Sequence, residues 1–217
     1  MTGPALADAF VKLHARLAPA PFVPEVLLHQ ADEPIGLWEL TEGEFRSEQP
    51  PPFWAFAWAG GQALARFVLD HPGEVAGRRV LDLASGSGLV AVAAARAGAA
   101  SVRAVDVDPL AVAAITLNAR ANGAAAVVAE CADILDGDAG DAEVVLAGDV
   151  FYNERLAGRM NRFLRRARRA GVSVLYGDPG RAFLPERPGV EVAAYEVPTP
   201  LALESVHTKH TVVWRLP

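Results

Sequence analysis

The chain has a single cysteine, Cys131, so no internal disulfide can form and a reducing, cytoplasmic setting is the expectation. Long apolar runs are missing as well. Asp82 and Arg96 bracket the most apolar stretch, which Gly and Ser interrupt well short of the roughly 20 residues that span a bilayer. The N-terminus has no basic-then-apolar leader, and Asp8 argues against a transit peptide, so no membrane partner is expected. The five histidines form no metal-ligand pattern: His207 and His210 in HTKH would point to opposite faces of a strand, and no metal is expected. Positive charge is in short supply, with 20 Lys and Arg against 26 Asp and Glu and a net charge of −6. That balance excludes nucleic-acid backbone binding as the main business, because such surfaces need clustered cations. Arginine is the dominant cation, and its one dense run, Arg162 to Arg169, reads as the solvated face of a helix.

What the chain does have is a sizeable core in prospect, with 217 residues of which 52% are apolar. Its centre is RVLDLASGSGLVAVAAAR, residues 79–96, where an apolar strand passes through a Gly/Ser turn into an Ala-rich helix. Gly86 and Gly88 let the backbone take positive φ and let a ligand lie against it, and the helix beginning near Gly88 aims its free N–H groups at that ligand. The loop alone also fits the dinucleotide fingerprint. Asp82, four positions before Gly86, is the discriminating feature, since a carboxylate at the strand end suits a ligand with an amine. S-adenosylmethionine (SAM) is such a ligand.

Around this centre, Leu6, Phe10, Leu13 and Leu17 sit at helical spacing, predicting a helix from about Ala5 to Ala18. An apolar patch, Val23 to His29, follows it. Ile35 to Leu40 alternates as a strand, and Glu42 to Pro52 is a stiff connector ending in PPP. Residues 1–49 are accordingly an N-terminal extension and 50–217 the main domain. In FWAFAW, Phe53 and Phe56 read as packing residues, whereas Trp54 and Trp58 are candidates for a pocket wall. Strands near 102–105, 125–129, 143–147 and 172–176 alternate with helices, one of them from about Glu154 to Arg169. The last two strands, near 190–197 and 208–216, lack a crossover helix and are expected to pair antiparallel. The fold class is α/β, with a doubly wound, mostly parallel sheet.

Ligands of such sheets lie beyond the carboxyl ends of the strands. Acidic residues recur at those ends: Asp82, Asp106, Asp133, Asp149 and Asp178. Asp106 suits the ribose hydroxyls, and Asp133 is a candidate acceptor for an adenine amino group. Asp178 and Arg181 in GDPGR are either a structural turn or part of a substrate rim. Cys131 has no histidine placed to activate it.

VLDLASGSGLV, with AVDVDP and GDVFYN after it, resembles the seven-stranded class I SAM-dependent methyltransferases, which are Rossmann-like. PPFWAFAWAGGQALARFVLD together with GDVFYN and GDPGRAFLP narrows the likeness to methyltransferase family 16 and, within it, to the electron transfer flavoprotein β-subunit lysine methyltransferases. The resemblance covers Pro50 to the C-terminus. It implies that Asp82, Ala84, Gly86 and Gly88 bind SAM, with Ala84 where the wider class has glycine. It also implies that Asp106 holds the ribose, that Trp58 borders the cofactor, and that Asp149 and Tyr152 form a D-x-x-Y motif facing a substrate lysine. On this reading Asp149 orients the ammonium by hydrogen bonding while Trp54, Phe151 and Tyr152 strip its water. The implied activity is protein-lysine N-methylation, with electron transfer flavoprotein β subunit as the expected partner. A small-molecule (nicotinamide-type) N-methyltransferase and a NAD-dependent oxidoreductase are the alternative readings.

Overall fold

The computed structural model describes residues 3–31, 51–200, 204 and 206–217. Helix α1 (Pro4–His14) leads into an antiparallel hairpin, β1 (Arg16–Ala20) and β2 (Val23–Gln30). A 3-10 turn (Phe53–Ala55) then precedes α2 (Ala59–Asp70). The remainder alternates: β3 (Arg79–Leu83), α3 (Leu89–Arg96), β4 (Ser101–Asp106), α4 (Pro109–Ala121), β5 (Val127–Cys131), β6 (Val144–Gly148), α5 (Glu154–Arg169), β7 (Ser173–Asp178), β8 (Val190–Pro198) and β9 (Thr208–Arg215). The seven-stranded sheet has the order β5-β4-β3-β6-β7-β9-β8. Strands β3 to β7 are parallel, and β9 lies antiparallel between β7 and β8. The doubly wound expectation is met, and strand order reverses between β3 and β6, which opens a crevice at their carboxyl ends.

Two apolar layers hold the sheet. On one face Val80, Val102, Leu146 and Leu175 pack against α2 and α3. On the other, Leu81, Leu83, Val145 and Val174 meet Met160, Phe163 and Leu164 of α5. The alanines of α3 let that helix lie close to the strands, and β3, β6 and β7 are buried on both faces as central parallel strands must be. Side-chain caps start α4 and α5: Asp108 accepts from the Leu110 N–H at 2.8 Å, and Asn153 accepts from that of Leu156 at 3.1 Å.

The first helix is shorter than its periodicity predicts. It stops at His14 because residues 16–20, carrying Pro19, pair with β2 instead of continuing the helix. The free edge of β2 is covered by α4, where Asn122 and Asn118, one turn apart, accept from the N–H groups of Leu27 (2.9 Å) and His29 (2.8 Å). Asn118 also donates to the Ser87 carbonyl at 2.8 Å, which ties the hairpin to the loop after β3. Helix α1 packs through Ala7 and Val11 on Leu110, Ala114 and Leu117. Strand β5 runs two residues later than predicted, since the all-apolar Ala124–Ala129 run carries no mark of where pairing begins. The expected strand at residues 35–40 and most of the connector at 42–52 lie outside the described residues.

Helix α2 enters against the ends of β6 and β7 at backbone contact. A Cβ on Gly148 would stand 2.7 Å from the Gly61 Cα, and one on Gly177 would collide with the Gly60 carbonyl. Gly177→Ala is therefore expected to lower stability by about 3 kcal/mol, roughly 6–12 °C in Tm for a chain of this size. Gly61→Ala, whose nearest neighbour would be Val90 Cγ2 at 4.0 Å, should leave Tm nearly unmoved. Thermal unfolding of the two variants distinguishes a tight backbone approach from a loose one.

Candidate active site

A cavity of about 480 Å³ opens over the carboxyl ends of β3, β4 and β6. At one end lies the loop after β3. Ala84 there has a φ of 49°, a left-handed backbone that glycine adopts more easily, and Gly86 follows at 55°. Gly88, at 79°, caps α3, and a Cβ on it would press to 3.2 Å from the Ile115 Cα. Asp82 shares the face of Val80 and is 1% exposed. Its carboxylate accepts from the Ser85 hydroxyl at 2.5 Å. Burial pushes Asp82 up to about 7, against the pull of Ser85 and a backbone N–H, with the Asp106 charge adding to the rise.

Asp106 is fixed by two backbone donors, Gly86 N–H at 2.9 Å and Asp108 N–H at 3.0 Å. Burial raises it above the usual carboxylate range. Its remaining lone pairs are unclaimed by either donor. Asp133, the candidate acceptor for an adenine amino group, also borders the cavity and is paired there. Arg159 of α5 grips both of its oxygens at 2.8 and 3.0 Å and holds it low. Cys131 is exposed with its thiol pushed up by burial and the neighbouring Asp106 and Asp108, the opposite of an activated nucleophile.

The aromatic wall differs from the expectation in its members. Trp58 is there, its indole N–H donating to the Phe53 carbonyl at 3.0 Å. Phe53 stands 5.7 Å from the Trp58 ring and 5.2 Å from Tyr152, so these three rings form one continuous stretch of the wall, with Phe56 edge-on to Trp58 beside them. Trp54 touches the cavity but is 1% exposed, sunk in the α1–α4 cluster and edge-on to Phe10 at 6.5 Å. Phe151 is turned the other way, into the α5 layer against Tyr176 at 5.3 Å. Adjacent residues point in different directions, so of the expected Phe151 and Tyr152 only Tyr152 faces the pocket, and beside Trp54 it is Phe53 that joins the wall. Tyr152 keeps its phenolic proton: burial first, then the charges of Asp106 and Asp149, push it up to about 12.

At the far end sits Asp149, buried, with a φ of 60°. It accepts from the Gly60 N–H at 3.0 Å and from Arg181 through Nε at 2.6 Å and Nη2 at 3.0 Å. Arg181 also reaches Glu204 at 2.7 Å, which pairs with Lys209 at 2.6 Å. The guanidinium lies 5.8 Å over the Trp58 ring. Burial alone would lower Arg181, but its ion pairs with Asp149 and Glu204 outweigh that and raise it. GDPGR is thereby both things at once. Asp178 makes the turn by accepting from the N–H groups of Gly180 (2.7 Å) and Arg181 (2.8 Å), and Arg181 stands on the rim. Sequence reasoning missed Phe53, Arg159 and Glu204. The Arg of GDPGR was the visible signal for this network, whereas nothing marked Glu204, whose partner lies 23 residues upstream.

Comparison with known proteins agrees with this geometry. A family described as ribosomal protein L11 methyltransferase (PrmA) matches residues 63–153. The electron transfer flavoprotein beta subunit lysine methyltransferase of Rattus norvegicus is 40% identical over 75% of this chain and 66% of its own length, so the chain matches about two thirds of that relative. The Xenopus laevis protein of the same name is 34% identical over 95% of this chain and 85% of its own. Among solved structures, the magnesium protoporphyrin IX methyltransferase of Synechocystis PCC 6803 with bound SAM shares the fold, with a TM-score of 0.54 and 16% identity over 84% of this chain and 96% of that one. The sheet order, the Gly loop between two strand-end carboxylates and the extent of the Xenopus match converge, and the chain belongs to the electron transfer flavoprotein β-subunit lysine methyltransferase family.

Proposed function

We propose that this chain transfers a methyl group from SAM to a lysine amine of a folded protein, the electron transfer flavoprotein β subunit being the substrate its relatives' names indicate. One observation carries the reading: a single cavity has two carboxylates, the buried Asp82 and the half-buried Asp106, at one end and an aromatic-walled carboxylate, Asp149, at the other. The residues fit the cofactor. Asp82 is buried with a hydroxyl and a backbone N–H but no cationic partner among the described residues, which an amine would supply. Asp106 has lone pairs left for two hydroxyls, and Trp58 offers a π face for positive charge. Bound SAM supplies a methyl group already activated on a sulfonium.

The protein's own task is then alignment and dehydration. A lysine amine attacks only when neutral, yet its ordinary value is about 10.4. Asp149 offers one unclaimed acceptor site, on Oδ1, since Arg181 and Gly60 occupy the others. That site orients the amine without holding it as a tight ion pair. The Arg181 guanidinium beside it disfavours a second positive charge and so eases loss of the amine's proton. Phe53, Trp58 and Tyr152 exclude water from the approach. Tyr152, protonated throughout, serves as a donor and wall, not a base.

The reading is tested by incubating the chain with SAM and purified β subunit and mapping methylated lysines by mass spectrometry. Transfer to small amines but not to the β subunit would replace the protein substrate with a metabolite. Asp149→Asn, an isostere that tolerates the left-handed backbone, should cut kcat by roughly 10²–10³ while SAM affinity measured by calorimetry stays within about twofold. Unchanged turnover would remove Asp149 from the mechanism.

The charge state of Asp82 gives a second prediction. A cationic ligand prefers the ionised carboxylate, and Asp82 ionises near pH 7. SAM affinity should therefore be flat above pH 7 and fall by up to about tenfold per pH unit below it, with proton release on binding in that range. Asp82→Asn should bind weakly with the pH dependence gone, as calorimetry in buffers of different ionisation heat would reveal.

A further inference from the structure

Helix α5 carries seven arginines and one glutamate in a chain whose net charge is −6. Four of the arginines have structural partners. Arg159 grips Asp133 and Asp136, and Arg166 donates to the carbonyls of Leu135 and Gly137, so this row clasps the loop after β5. Arg165 reaches Asn161 and the Arg187 carbonyl, and Arg168 the Leu216 carbonyl, on the other flank. Between these rows stand Arg155, Arg162 and Arg169, exposed and seven residues apart. At 1.5 Å per residue they form a nearly straight stripe about 21 Å long.

Folding gains little from this stripe beyond the charge that Arg155 places near Asp133. Arg155 occupies the second position of the helix, where the macrodipole disfavours a cation. Arg162 has arginines at i−3, i+3 and i+4, which repel it, and no acid at those spacings. The stripe begins beside the cavity mouth, since Asn153 caps the same helix directly after Tyr152, and Leu156, Arg159 and Met160 line the cavity. Resting on the lysine reading above, we propose that Arg155, Arg162 and Arg169 dock an acidic face of the folded substrate protein and so deliver its lysine to Asp149. Charge complementarity selects a protein with carboxylates beside the target lysine. A nucleic-acid backbone is disfavoured by the overall negative charge, which would repel it over most of the surface.

The test compares the wild-type chain with the triple variant R155Q/R162Q/R169Q and with R96Q/R120Q, which removes exposed arginines at the C-termini of α3 and α4 on the opposite face of the sheet. Methylation of the β subunit is followed at about 50 and about 300 mM salt. The triple variant should raise KM for the protein about tenfold, flatten its salt dependence, and leave kcat and SAM affinity unchanged, with the control variant close to wild type. A KM shift below twofold, or an equal shift in the control variant, overturns the docking surface while wild-type transfer keeps the lysine reading standing. Arginine-dependent binding of a single-stranded RNA oligonucleotide with an unmoved KM would overturn it in favour of a polyanion. No transfer by the wild-type chain at either salt concentration would take down the lysine reading, and this surface with it.

Discussion

A buried carboxylate needs a cation, and the structure around Asp149 is arranged to provide one. Asp149 joins the Gly60 N–H at the start of α2 to Arg181 after β7, and Arg181 carries the link to Glu204 and Lys209 near the C-terminal strand. Four separate parts of the chain thus meet on one charge. Removing Arg181 would leave Asp149 an uncompensated buried charge, at a cost of several kcal/mol, whereas Arg181 without Asp149 keeps Glu204 as its partner. The close approach of Gly60 to Gly177 has the same consequence, because only glycines allow the α2 N–H to reach that carboxylate across the strand ends.

Backbone strain stands at both ends of the same cavity. Among the described residues, the non-glycine residues at positive φ are Ala84 and Asp149. One shapes the loop at the Asp82 end of the cavity and the other presents the carboxylate at the opposite end. A left-handed backbone costs on the order of 1–2 kcal/mol at each. Both are held by tight neighbours: Ser85 N–H donates to the Val105 carbonyl at 3.1 Å, and Asp149 N–H to that of Gly177 at 2.9 Å. The surrounding sheet offsets strain that helps to aim the site.

The parts of this arrangement that were legible from the residues are those set by local rules. Asp82, Gly86, Gly88 and Asp106 follow from a strand, a turn and a helix read in succession, and apolar runs alternating with helical patterns specify the parallel sheet. Which of two adjacent aromatics enters a pocket is different in kind. Phe53 rather than Trp54, and Tyr152 rather than Phe151, depends on how the segment is rotated by its packing on α1 and α5, which periodicity over so few residues does not encode. Arg159 was hidden for a related reason. An arginine-rich helix reads as a solvated face until the acidic loop after β5 is seen folded beneath one of its rows.

The hydrogen bonds of the Gly loop bear on which cofactor it suits. A dinucleotide places its pyrophosphate against free N–H groups at such a loop. Here the Gly86 N–H is donated to Asp106 and the Gly88 N–H to the Ser85 carbonyl at 2.8 Å, so two donors that a pyrophosphate would use are already engaged. The nearest side-chain charges are the carboxylates of Asp82 and Asp106, which repel an anion and become harder to ionise beside one. A ligand carrying an ammonium and a sulfonium reverses both terms, since it needs acceptors where the loop presents them and stabilises carboxylates that burial has destabilised. The same backbone motif that would cradle phosphate has, through two aspartates, become a receptor for positive charge.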